Sequence, residues 1–164
     1  MINKKIILVR HGKSSWGHNV SDRNRPLKKR GINDALIIST EFNKKKYKIE
    51  KVYSSPAKRA HSTCEIFVNN LGLAKDSISI VDSLYDFSGE NVMHFINTLD
   101  NSLNTVLIFG HNHAFTSIAN TCGDMYIDNL PTSGLVVLNF NIETWEHAKY
   151  GQTELVMFPR DFRP

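Results

Sequence analysis

KIILVRHG, residues 5–12, is the stretch from which the fold is read. The apolar residues Ile6 to Val9 run unbroken into Arg10-His11-Gly12. A short, continuous run of branched apolar residues marks a strand buried on both faces, the kind found in parallel sheets covered by helices. This first strand is expected over residues 5–10. Residues 12–27, with Gly12, Gly17, Ser21, Asp22 and Pro26, are polar and irregular and read as a surface loop. A helix follows over 27–47, where Ala35, Leu36, Ile38 and Phe42 fall at helical spacing. Lys44-Lys45-Lys46 lies at its C-terminal end, where the helix dipole favours cations.

The pattern then repeats. A second strand is expected over 49–54, followed by a helix with Ser55 as N-cap and Pro56 in its first turn. That helix carries Ala60, Thr63, Cys64 and Phe67 and ends at Gly72. Strands over 77–81 and 105–109 alternate with helices over 90–99 and 115–121. Late strands over 135–140 and 154–158, joined by a short connection, are expected to pair antiparallel at the sheet edge. The alternation implies a single-domain α/β fold over residues 1–164: three α/β/α layers, a mostly parallel central sheet, and helices on both faces.

Composition narrows the function classes. The 164 residues are 41% hydrophobic and 22% charged, which is globular and not disordered. Two cysteines, Cys64 and Cys122, are too few for a disulfide scaffold, and Cys64 reads as a buried thiol. No apolar run is long enough to span a bilayer, and the N-terminal apolar run is too short for a signal peptide. A soluble, cytoplasmic protein is expected. Twenty Lys and Arg against 16 Asp and Glu give a net charge of +4. A mildly basic surface accounts for this excess, and binding to nucleic acid is not expected.

Chemistry concentrates where strands end. Arg10-His11-Gly12 follows the first strand, Ser54-Ser55-Pro56-Ala57-Lys58-Arg59 the second, and Gly110-His111-Asn112-His113 the fourth. In open α/β sheets ligands bind outside the carboxyl ends of the strands, so two arginines and two histidines are expected to converge. Arginine binds phosphoryl oxygens bidentately and stays charged. Neutral imidazole is a competent nucleophile near pH 7, and a second histidine can stabilise developing phosphoryl charge. Ser14 and Ser15 either meet a phosphoryl oxygen or bond within the loop. Trp16 lines the pocket mouth or covers the core. His113 is read as a helix-terminal residue; His18, His61, His94 and His147 are read as surface residues. His111-Asn112-His113 has no second ligand group at metal-like spacing, so no metal and no cofactor are expected. No Gly-rich phosphate loop of the P-loop or dinucleotide type is present.

LVRHGKSSW (8–16), RPLKKRGINDA (25–35), SSPAKRAHST (54–63), FGHNHAF (109–115) and LPTSGLVVLNF (130–140) resemble, in order and spacing, the motifs of the histidine phosphatase superfamily. The late segments and the tail ELVMFPRDFRP resemble the short, SixA-type phosphohistidine phosphatases. The resemblance implies the phosphoglycerate mutase-like fold, with His11 as nucleophile and Arg10, Arg59 and His111 completing a phosphoryl pocket. In larger relatives a carboxyl group after the third strand protonates the leaving group. Asp86 falls in that place, with Asp22 and Glu90 as competitors. An imidazole leaving group, of pKa about 6.5, dispenses with the acid that an alkoxide needs. About fifty residues separate Arg59 from His111, which leaves little material to cap the site. The expected substrate is phosphohistidine on a protein. The alternatives are a small phosphomonoester or a phospho-ligand bound without turnover. Phosphate or sulfate ion is expected to fit the same site.

Overall fold

The computed structural model describes residues 3–164. Six strands, β1 (Asn3–Arg10), β2 (Lys51–Ser54), β3 (Ile78–Ile80), β4 (Thr105–Gly110), β5 (Leu135–Asn141) and β6 (Gln152–Met157), form one sheet in the order β3-β2-β4-β1-β5-β6. β1, β2, β3 and β4 run parallel, and β5 runs against both β1 and β6. The sheet is therefore mostly parallel, and the antiparallel pairing of the last two strands puts β6 on its edge.

The apolar run in β1 divides between two cores because successive side chains leave a strand on opposite faces. Ile6 and Leu8 join Val106, Ile108 and Val136 in one core, and Ile7 and Val9 join Leu107, Phe109 and Val137 in the other. Helices α1 (Lys29–Asn43) and α2 (Lys58–Asn70) cover the second core with Ile38, Phe42, Cys64 and Phe67. Helices α3 (Glu90–Asn97) and α4 (Ala114–Cys122) cover the first with Val92, Ile96, Phe115 and Ile118. This is the α/β/α arrangement expected from the sequence. Among the described residues no helix is long and apolar enough to cross a membrane.

α1 ends at Asn43, with Lys44 as its C-cap, earlier than the expected residue 47, and two helix starts move for a local reason. α1 begins at Lys29, later than expected, because Leu27 pairs with Ser14 in an isolated antiparallel bridge that folds the loop back on itself. α2 begins at Lys58, with Ala57 at the N-cap in place of Ser55. The Ser55 amide continues the sheet by donating to the Phe109 carbonyl at 3.0 Å, which delays the helix. Leu36, expected on the buried stripe of α1, is exposed, while Ala35, Ile38 and Phe42 are buried.

α1 is seated against the loop after β1 at a glycine. A Cβ on Gly31 would stand 2.2 Å from the Lys13 carbonyl oxygen and 2.8 Å from its amide nitrogen. The Lys13 oxygen also accepts the Lys28 amide at 2.8 Å, so it is held in place. Gly31→Ala is expected to destabilise the protein by about 3 kcal/mol or more, the upper end of overpacking costs. The measurement is the urea unfolding midpoint. An unchanged midpoint would show that helix and loop separate freely.

Candidate active site

Pairing of β1 with β4 sets Arg10 opposite Gly110, and pairing of β2 with β4 sets Ser54 opposite Phe109. His11, Ser55 and His111 therefore leave three neighbouring strands at one rim. The chain passes to α1 on one face after β1 and to α4 on the other face after β4, so this rim is a topological switch point, where such sheets bind ligands. The His11 and His111 rings lie 5.3 Å apart, tilted by 55°. Arg59, in the first turn of α2, is 2% exposed, and its guanidinium adds to the field on both rings.

The loop that carries His11 is fixed through its backbone. The His11 amide donates to the Gly110 carbonyl at 3.0 Å, and the Arg10 and His11 carbonyls both accept the Ser133 amide at 3.1 Å. The Gly12 amide donates to Thr63 Oγ1 at 2.8 Å, and Thr63 donates to the Arg59 carbonyl at 2.7 Å. One hydroxyl thus joins the loop to the turn of α2 that presents Arg59.

The ring nitrogens have distinct roles. His11 Nδ1 lies 2.7 Å from the Gly12 carbonyl oxygen. A carbonyl only accepts, so the ring proton sits on Nδ1 and Nε2 keeps its lone pair. Burial pushes His11 down to about 3; the bond to the Gly12 carbonyl opposes that shift, and His111, Arg59 and Arg10 reinforce it. Burial also brings His111 to about 3, with Arg59 and Arg10 lowering it further and Asp22 opposing. Both rings are neutral at physiological pH. His111 Nε2 stands 2.8 Å from Ser55 Oγ, which also accepts the Ala57 amide at 3.2 Å.

Buried polar groups are seldom left without partners. Among the described residues five buried side-chain atoms are, and Arg10 Nε, Arg59 Nε and His111 Nδ1 are three of them. Ser133 Oγ, next to the backbone clamp on His11, is a fourth. Unpaired N–H groups clustered around a neutral imidazole can receive the oxygens of an anion.

A second shell of charge stands over Arg59. Asp22 accepts from Arg59 at 3.0 Å, from Arg25 at 3.0 Å and from the Tyr85 hydroxyl at 2.5 Å, while its carbonyl accepts from Arg59 at 2.6 Å. Burial alone would raise the Asp22 carboxyl; the bonds from Tyr85, Arg25 and Arg59 override it and hold it at about 2. Arg25 donates to Ser14 Oγ at 2.5 Å and stacks 3.3 Å from the Trp16 ring centroid. Ser14 braces Arg25, and Trp16 lies on the surface and not over the core.

Asp86, expected in the place of the general acid, is a helix cap. Its carboxylate accepts amides of Ser88, Gly89, Asn91 and Val92 and the Ser88 hydroxyl, at 3.0–3.1 Å. Burial would raise its pKa, but the bonds from Val92, Ser88 and Gly89 hold it below the usual carboxylate range. A general acid needs the opposite shift. Glu90 is an exposed residue opening α3, and Ser15 bonds within its own loop to the Gly17 amide at 3.1 Å. His113 takes the N-cap of α4, exposed, with its carbonyl receiving the Ser117 amide. His18, His94 and His147 are exposed, and His61 is half-buried beside Glu65. Cys64 and Cys122 are free and buried. Among the described residues no group of three or more His, Cys, Asp or Glu is placed to hold a metal.

Three partners of these groups escaped the motif reading: Tyr85 on Asp22, Arg25 on Ser14 and Asp22, and Ser55 on His111. Ser55 lies in SSPAKRAHST, where its place before Pro56 points only to an N-cap.

Residues 6–93 match the model of the histidine phosphatase superfamily (branch 1), and the chain belongs to that family. An uncharacterized protein of Mycobacterium leprae is 27% identical, the match covering 92% of this chain and 98% of that protein. A protein histidine phosphatase SixA complexed with tungstate superposes with a TM-score of 0.80 at 22% identity, over 97% of this chain and 99% of its own. A mycobacterial glucosyl-3-phosphoglycerate phosphatase superposes with a TM-score of 0.65 at 11% identity, over 93% of this chain and 98% of its own. These superpositions establish the histidine phosphatase fold.

Two outcomes follow from the protonation states. A nucleophile must be neutral, so lowering the His11 pKa moves the acid limb of activity down. On para-nitrophenyl phosphate, corrected for substrate ionisation, kcat/KM is expected to hold level as pH falls through 6.5, the ordinary imidazole value. A fall centred there would mark a solvated ring. Asp86→Asn is expected to lower stability by about 1–2 kcal/mol through the lost cap. Its kcat on an alkyl phosphate such as β-glycerophosphate, whose alkoxide leaving group needs a proton, should escape the roughly 100-fold loss that removing a general acid brings.

Proposed function

We propose that residues 1–164 act as a single histidine phosphatase domain. It hydrolyses phosphohistidine on a protein through a phosphoryl intermediate on His11. The observation that carries this reading is the set of unpaired nitrogens of Arg10, Arg59 and His111 near a neutral His11.

His11 Nε2, its lone pair free, attacks phosphorus as the bond to the leaving group breaks. Arg10 and Arg59 bind the equatorial oxygens and offset their charge. With the Ser55 hydroxyl donating its hydrogen bond to His111 Nε2, the single His111 ring proton sits on Nδ1 and donates to a third oxygen. Water then attacks phosphorus, the P–Nε2 bond breaks, and phosphate departs with His11 restored. The positive charge in this scheme comes from the side chains themselves. The tungstate complex of the SixA structure supports a site that accepts a phosphate-like ion.

The nature of the leaving group is argued from the acids. Asp22 is held at about 2 and Asp86 below the usual range, so neither carries a proton near neutral pH. An alkoxide would leave poorly from such a site. A phosphohistidine whose second ring nitrogen has taken a proton from solvent departs as neutral imidazole as its P–N bond breaks, and needs no acid from the site. The half-exposed aromatics Tyr85 and Phe87, with ring centroids 5.2 and 5.0 Å from that of His111, leave the mouth open to a side chain on another protein. Unpaired Cys64 and Cys122 agree with a reducing, cytoplasmic setting.

Brief exposure to a protein carrying labelled phosphohistidine is expected to leave the label on His11 alone. His11→Ala should abolish labelling and cut turnover by about 10⁴-fold or more. Label on any other residue would overturn the mechanism. Hydrolysis of para-nitrophenyl phosphate but not of phosphohistidine would overturn the substrate.

A further inference from the structure

Beside the loop that carries His11 lies a cavity of about 300 Å³ whose wall carries Lys13, Arg30, Arg160 and Arg163. These cations come from the loop after β1, from α1, and from the turn that follows β6. Two of them share one counter-charge: Asp34, buried, accepts from Arg163 at 2.6 and 3.0 Å and lies 3.8 Å from Arg30. Arg160 has only a loose, exposed pair with Asp161 at 3.9 Å. Among the described residues no carboxylate lies within 4.0 Å of the Lys13 ammonium. The cavity therefore carries excess positive charge.

Its position follows from the chain. Lys13 is two residues from His11, which keeps their Cα atoms within about 7 Å. Thr132, also on the wall, precedes Ser133, whose amide holds the Arg10 and His11 carbonyls. The cavity and the phosphoryl site thus share the loop between them. A compact anion bound for its own sake would be gripped by buried, converging donors, as at Arg59. Lys13, Arg30 and Arg160 are instead exposed and spread over three segments. Exposed, dispersed cations contribute to encounter and orientation more than to a tight grip.

We propose that this cavity docks carboxylate side chains on the surface of the phosphorylated partner, next to its phosphohistidine. The proposal rests on the phosphohistidine reading for the partner's identity, and on the charge and geometry of the cavity for the site itself. Contacts of this type act on association and weaken as salt screens them.

Reversing both uncompensated charges, in Lys13→Glu/Arg160→Glu, tests it. On an acidic phosphohistidine protein kcat/KM is expected to fall about tenfold relative to kcat/KM on para-nitrophenyl phosphate. The salt dependence with the protein substrate should flatten. Equal losses on both substrates, or no loss on the protein, would overturn the proposal. A second measurement is independent of turnover. Titrating the ¹⁵N-labelled protein with a hexaglutamate peptide is expected to shift the amides of Lys13, Thr132 and Arg160, in His11→Ala as in the wild type, and not in the double reversal. Shifts confined to the surroundings of His11, or equal shifts in the double reversal, would overturn it. So would inorganic phosphate reproducing the peptide's shifts at the same concentration, which would mark a small-anion site. If the wild type cleaves the ester but not phosphohistidine, the proposed function fails, and the titration alone decides the cavity.

Discussion

The parallel pairing of β1 with β4, with Arg10 opposite Gly110, is the constraint on which the site depends. His11 and His111 are a hundred residues apart in the chain, and no local preference brings them together. The ladder does so because each histidine is the first residue beyond a strand buried on both faces. A parallel pair slipped by one residue would turn alternate side chains into the wrong core. Ile6 to Val9 and Val106 to Phe109 are all fully buried, so that slip would force both close-packed cores to repack. The apolar packing of two cores thus sets the separation of two imidazoles at the rim.

Electrostatics at that rim follow from the same burial. Two neutral rings and two guanidiniums share a small volume, and desolvation alone favours the uncharged form of each ring. Burial, and after it the nearby Arg59 charge, lowers the Arg10 guanidinium from its ordinary value, and guanidinium remains protonated under such pressure. The division of labour follows: permanent cations for the oxygens, a neutral ring for the attack. Asp22 is the counterweight. Its negative charge offsets part of the repulsion among the cations, and it favours the charged form of His111, although not enough to protonate it.

Much of this was legible in the sequence. Arg10, His11, Arg59 and His111 stand at strand ends and at the start of a helix, positions fixed by local periodicity, and the fold brings them to one rim. Residues whose role depends on contacts between loops were not legible. Asp86 lies where an acid would stand in longer relatives, but the amides of Ser88, Gly89, Asn91 and Val92 claim it first. Ser14 lies near the phosphoryl site in sequence and is turned to Arg25 by the bridge to Leu27. The bonds of Asp22 to Arg59 and Tyr85 cross 37 and 63 positions of the chain, and no spacing rule reports such a contact.

The Asp22 contacts also bear on how the pocket keeps its shape. Residues 12–27 have almost no regular structure and bury few apolar side chains, so their conformation costs entropy that packing does not offset. With one carboxylate Asp22 ties that irregular segment to the helix bearing Arg59 and to the aromatic at the mouth, and holds Arg25 within the segment. Ordering the segment and aiming the guanidinium are consequently one thermodynamic event. A ligand that draws Arg59 toward itself competes with its own scaffold, and the readiness of the pocket is set by how that competition balances.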